Sequence, residues 1–173
     1  MALPDGTVPP KKNKTLTYVL IACGLGLFCL CGPILGAILL PVFAQARLAA
    51  QKTASLTNVK QLALAALTYS ADNDDKLPLA ANWRQELNKV DPKIEVMTSP
   101  KFRGFGYAYS KFAVGKSVTK LPLTTVLFFE SDLPGDGPVD DPANLPNPPR
   151  FGKGSCVSFA DGSAKIVPDL LEK

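Results

Sequence analysis

Five carboxylates, Glu130, Asp132, Asp136, Asp140 and Asp141, fall within twelve residues of a stretch rich in proline and glycine. Calcium takes about six to eight oxygen ligands from flexible loops, backbone carbonyls included. This run is therefore the candidate calcium loop of the chain. The plainer expectation is an acidic surface loop that holds no metal, and that reading is preferred. A second acidic run, Asp72, Asp74 and Asp75, lacks the glycine and the distal glutamate of an EF-hand. It is expected to be the solvated end of a helix.

Other chemistry is sparse. The chain has no histidine, which removes the usual general base, histidine-based triads and imidazole metal sites. Cys23, Cys29 and Cys31 lie in an apolar run, and Cys156 stands apart from them. Cys156, Ser155 and Ser158 fall in a predicted strand with no candidate base nearby, so Cys156 is expected to be a buried structural thiol. No catalytic residue, cofactor or small-molecule substrate follows from these residues, and a non-enzymatic protein is expected.

The elements that would position these groups begin at the N-terminus. Residues 1–14, rich in proline and lysine, read as a disordered tail. From Thr15 to Ala46 there is no charged residue, with Lys11, Lys12 and Lys14 before it and Arg47 after it. Its most apolar part, Tyr18 to Leu40, would span roughly 35 Å as a helix, against a hydrocarbon core of about 30 Å. Residues 15–46 are therefore expected to cross a membrane, with lipid as partner. The N-terminal lysines place the tail in the cytoplasm and residues 47–173 outside. "LIAC" at 20–23 admits a lipidated Cys23 as the alternative anchor. The part from Arg47 on holds 16 basic and 14 acidic residues, the 19 and 15 of the whole chain less three lysines and Asp5. That balance carries no basic patch with interleaved aromatics, so no nucleic-acid partner is expected.

From Val42 to Ala71 the chain has neither glycine nor proline. Leu56, Val59, Leu62, Ala63, Ala66 and Tyr69 recur at helical spacing, which predicts one buried stripe over 47–71. A short helix is predicted at 83–90, with Asn82 as cap and Gln85 at the capping-box position. Strands are predicted in 105–110, 124–131 and 155–167, the last a hairpin turning at Asp161-Gly162. Residues 132–150, with six prolines and two glycines, read as a long loop without a strand.

Four segments in this order, "LLPVFAQAR", "NVKQLALAALTYSADNDDKLP", "FESD" and "GSCVSFADGSAKIV", resemble the prepilin-like proteins related to the major pseudopilin of type II secretion. More narrowly, they resemble the large bacterial group that ends in a His-x9-Asp-Gly signature. The resemblance runs from about Ile38 to Val167. It implies an α+β, pilin-like fold: a long N-terminal helix, half in the membrane and half packed on a small antiparallel sheet. It also implies a structural subunit of a pilus-like or secretion-associated assembly, in the bacterial cytoplasmic membrane with its C-terminal domain periplasmic or extracellular. Partners would be like subunits, met through the helix. Two departures stand out. The prepilin leader motif Gly-Phe-Thr-Leu-Ile-Glu is missing, and Phe151 occupies the signature histidine position. A phenylalanine can pack there but cannot hydrogen-bond or hold a metal. The other functional class is a membrane-tethered binding module that uses loop 132–150 and forms no filament.

Overall fold

With no glycine or proline between Val42 and Asp72, the chain forms a helix there. In the computed structural model this helix, α1, runs Lys14–Asp72. The structure describes residues 14–95, 97–100, 104–152 and 154–168; the side chains of 27–36 lie outside the described set. The expected tail, 1–14, lies outside it too, apart from Lys14. The chain divides into two units, Met1–Ala46 and Arg47–Lys173, so α1 contributes to both.

In the first unit, every described side chain of α1 is exposed, including Leu16, Tyr18, Leu20, Ile21, Leu40 and Phe43. Among the described residues no helix is long and apolar enough to cross a membrane, and 27–36 fall in the middle of the stretch concerned.

In the second unit, α1 buries the expected stripe. Val59, Leu62, Ala63 and Ala66 have no exposed surface, while Leu56 and Tyr69 pack partly buried against the same core. Each large apolar side chain so buried contributes about 1.5–3 kcal/mol. The helix stops at "DNDD", where Asp74 and Asp75 take φ of 53° and 61°. This is left-handed backbone, which aspartate tolerates better than most residues. The Asn73 and Asp75 amides donate to the Ser70 carbonyl at 3.1 and 2.9 Å, using an acceptor the helix leaves free.

Helix α2 spans Trp83–Val90, as predicted, with Trp83 and Leu87 buried. Its cap differs from expectation. Asn82 makes no side-chain cap bond; its amide nitrogen donates to Glu86 Oε1 at 3.1 Å.

Five strands follow: β1 (Tyr107–Ser110), β2 (Val126–Glu130), β3 (Val139–Asp140), β4 (Ser155–Phe159) and β5 (Ala164–Val167). The sheet order is β3-β1-β2-β4-β5. The pairs β1/β2, β2/β4 and β4/β5 are antiparallel, but β3 runs parallel to β1. The fold is thus α+β with a mixed sheet, which corrects the expectation of a purely antiparallel one. The loop 132–150 is also not strand-free. It lays Pro138 to Asp140 along β1, where the Tyr109 and Lys111 amides donate to the Pro138 and Asp140 carbonyls, both at 2.9 Å.

Alternation along the strands sorts side chains onto two faces. Tyr107, Tyr109, Phe128 and Cys156 join the core under α1. Ala108, Phe129 and Val157 form a smaller cluster on the other face, against Leu145, Phe159 and Val167. Between Val126 and Phe128 the β2/β4 register shifts, and Leu127 and Phe128 both join the larger core. The β4–β5 turn uses Gly162 at φ 77°. A Cβ there would stand 3.4 Å from Leu64 and Leu67 of α1, so the turn seats directly on the helix.

Candidate functional site

The five carboxylates of the predicted metal loop are dispersed. Glu130 is the last residue of β2 and fully buried. Asp132 pairs with Arg150 at 2.8 Å, Asp136 pairs with Arg84, and Asp141 pairs with Lys111 at 2.6 Å. Asp140 accepts from the Asp141 amide at 2.7 Å and from Asn144 Nδ2 at 2.9 Å. Among the described residues no group of three or more histidine, cysteine or acidic side chains is placed to hold a metal ion. The physical reason is competition: each carboxylate already has a protein partner in a different direction, and burial separates Glu130 from the loop.

Asp75 is likewise not simply solvated, contrary to expectation. Its carboxylate accepts from Ser117 Oγ at 2.5 Å, Thr119 Oγ1 at 2.6 Å and the Thr119 amide at 3.0 Å. The Ser117 and Thr119 bonds hold the Asp75 carboxyl below its ordinary value. The side chain clips the end of α1 to the segment 117–120.

The densest buried polar arrangement lies where α1 crosses the sheet. Ser55, Glu130 and Tyr107 are all fully buried. Ser55 Oγ donates to Glu130 Oε1 at 2.5 Å, and the Cys156 amide donates to Glu130 Oε2 at 2.9 Å. Asn58 Nδ2 donates to Tyr107 Oη at 2.9 Å, and Tyr107 Oη lies 3.2 Å from Ser55 Oγ. Four elements therefore meet in one network: β2 supplies Glu130, whose carboxyl bonds Ser55 of α1 and the Cys156 amide of β4, and Tyr107 of β1 joins through Ser55 and Asn58. Burial pushes the Glu130 carboxyl above its ordinary value, against the hydrogen bonds from Ser55 and the Cys156 amide, which favour the ionised form. Burial also raises the Tyr107 phenol.

Beside this seam Arg150, itself buried, ties loop 132–150 to the sheet. Its guanidinium donates to Gly106 O at 2.9 Å, Ser99 Oγ at 3.0 Å, Asp132 Oδ1 and the Ser131 carbonyl. Phe151, at the position of the signature histidine, is buried in the main core. Cys156 is fully buried as expected. Its thiol is pushed up to about 12, first by burial and then by the nearby Glu130, so it is a poor nucleophile. Cys23 is exposed.

A shallow cavity of about 280 Å³ opens at the start of α2, lined by Asn82, Arg84, Gln85, Asn88, Glu95 and Asp136. The Arg84 guanidinium is committed there to the Ile94 and Glu95 carbonyls at 3.1 and 2.8 Å and to Asp136. It also lies 4.1 Å from the Phe105 ring centroid. The adjoining Trp83 indole donates to the Gly137 carbonyl at 2.9 Å. A Cβ at Gly137, where φ is 90°, would stand 2.8 Å from that ring. Most of the cavity wall is thus tied to other parts of the protein, although the Arg84 Nε is buried without a hydrogen-bond partner.

Ser55, Asn58, Tyr107 and Arg150 are the residues that sequence reasoning missed. Ser55 precedes Val59 by four positions and Leu62 by seven. A hydroxyl in register with an apolar stripe is the signal that a buried polar partner faces it. Searches of family models, curated proteins and solved structures find no match to this chain.

Proposed function

We propose that this protein is a single-pass, pseudopilin-like membrane subunit, structural rather than catalytic, anchored by residues 15–46 and built to pack beside like subunits through α1. The observation that carries the reading is the first unit. There a helix without charge from Thr15 to Ala46 exposes Leu16, Tyr18, Val19, Leu20, Ile21 and Leu25, then Ile38, Leu39, Leu40, Val42 and Phe43. Apolar side chains on all sides of a helix need hydrocarbon or other protein around them. A lipid bilayer supplies that surrounding with the tail in the cytoplasm and residues 47–173 outside. The second unit supports a pilin-like assignment, with a helix stripe packed on one face of a small sheet and a C-terminal β-hairpin. The Ala44, Ala46, Ala49 and Ala50 stretch suits close helix approach.

Two measurements test this. Intact-mass analysis of membrane-extracted protein should return the full chain; loss of an N-terminal piece points to prepilin-type processing, and added acyl mass to a lipidated Cys23. Cysteines placed singly along 44–58 should trap homo-oligomers by cross-linking in membranes. Monomers at every position would sink the assembly role and leave the tethered binding module.

A further inference from the structure

The seam at Glu130 does more than hold a helix to a sheet. Glu130 has no exposed surface, and its two oxygens meet donors from two different elements, Ser55 of α1 and the Cys156 amide of β4. We propose that Glu130 is a proton-operated latch between α1 and the sheet, closed while its carboxyl is neutral and loosened when the carboxyl ionises. The inference concerns the second unit alone and does not rest on the membrane role.

The groups facing this carboxyl define how it can respond. From α1 come the Ser55 hydroxyl and, further along, Lys52, whose carbonyl accepts the Cys156 thiol at 3.9 Å. From β1 comes Tyr107, whose hydroxyl accepts from Asn58 and so directs its own proton toward Ser55. From the loop come Arg150, which favours the charged form, and Asp132, which opposes it. From β4 comes the Cys156 amide, with a thiol that Glu130 itself keeps protonated. The Arg150 guanidinium bonds to Asp132, Ser99 and the Gly106 and Ser131 carbonyls. Its help to an ionised Glu130 therefore ranks below the hydrogen bonds, and burial outweighs both.

The sign follows from linkage. A carboxyl raised by folding stabilises the closed seam fully below its ordinary value, and that contribution is lost as pH rises through the raised value. An ionised Glu130 regains water only if the Ser55 turn of α1 lifts from β1, β2 and β4. Opening there uncovers Cys156, while Leu62, Ala63 and Ala66, farther along α1, keep their core contacts.

Hydrogen–deuterium exchange of the full chain in detergent micelles, stepped from pH 4 to 8 and corrected for intrinsic amide rates, tests the latch. Residues 50–60 should lose protection as pH rises. The loss should be about tenfold for each pH unit between the Glu130 titration and that of an ordinary carboxyl. Residues 62–70 should stay level. Glu130→Gln, which cannot ionise, should leave the protection of 50–60 independent of pH over this range, at whatever level its amide sets beside the Ser55 and Cys156 donors. Should that variant not fold, Ser55→Ala serves, because losing a bond that favours the ionised form moves the transition to higher pH. Protection of 50–60 that is flat or rises with pH overturns the latch. So does an equal change across 62–70, or a Ser55→Ala transition that stays put or moves down.

Discussion

Two carboxylates tie α1 to the rest of its domain, Glu130 near Ser55 and Asp75 at the C-terminal end, and their surroundings are opposite. Both accept a serine hydroxyl at 2.5 Å, Ser55 for Glu130 and Ser117 for Asp75. Glu130 has no exposed surface, and burial pushes its carboxyl up. Asp75 stands at the surface and gathers three donors, which hold its carboxyl down. The same bond thus belongs to contributions of opposite pH sign. Desolvation decides the direction at Glu130, and the hydrogen bonds decide it at Asp75.

The comparison breaks most severely if the scaffold around Glu130 is removed. Arg150→Ala deletes a buried guanidinium that satisfies the Ser131 carbonyl and Ser99 Oγ. It should cost about 3 kcal/mol in chemical denaturation, the range for stranding buried polar partners. The same change removes a positive charge near Glu130 and should shift its titration further upward. A result within about 0.5 kcal/mol of wild type would mean that loop 132–150 is not held through this residue. Tyr107→Phe is milder. It removes one hydroxyl from the seam, while Asn58 keeps its bond to the Thr98 carbonyl, so a loss of about 1 kcal/mol is expected by the same assay. Asp75→Asn should have the smallest effect and the opposite pH dependence. The stability that Asp75 contributes is present above the ordinary carboxyl value and is lost as pH falls through its lowered one. Thermal melts of wild type and Asp75→Asn should therefore differ at neutral pH and converge in acid. Divergence in acid would reverse the assignment.

Periodicity made the larger elements readable. The stripe from Leu56 to Tyr69, the 83–90 helix and the Asp161-Gly162 turn all lie where residue spacing puts them. Strand β3 was not readable, because its two residues pair only after loop 132–150 has folded back on β1, and nothing local in a proline-rich run announces that. The acidic cluster is a related case. Sequence proximity put Glu130 with Asp132, Asp136, Asp140 and Asp141, although Glu130 ends the apolar run "VLFFE" and shares that run's burial. The capping expectation at Asn82 failed in the set of its side chain, whose amide nitrogen donates to Glu86 while its oxygen makes no bond to the first turn of α2. Phe151 was readable in kind: a side chain that can only pack lies in the core.

The Cys156 thiol lies against the carbonyl of Lys52, 104 residues earlier in the chain, and Gly162 seats on Leu64 and Leu67. Part of the cover for the apolar stripe of α1 thus comes from far along the chain. Contacts of such long sequence separation demand loop closure before they reward it, and they slow folding. As the chain leaves the ribosome, Val59, Leu62 and Ala66 emerge well before β4 and β5, and their cover is incomplete until the hairpin arrives. The β4–β5 hairpin, Ser155 to Val167, is therefore a late step of folding, and truncation before Ser155 leaves part of the helix stripe open to aggregation.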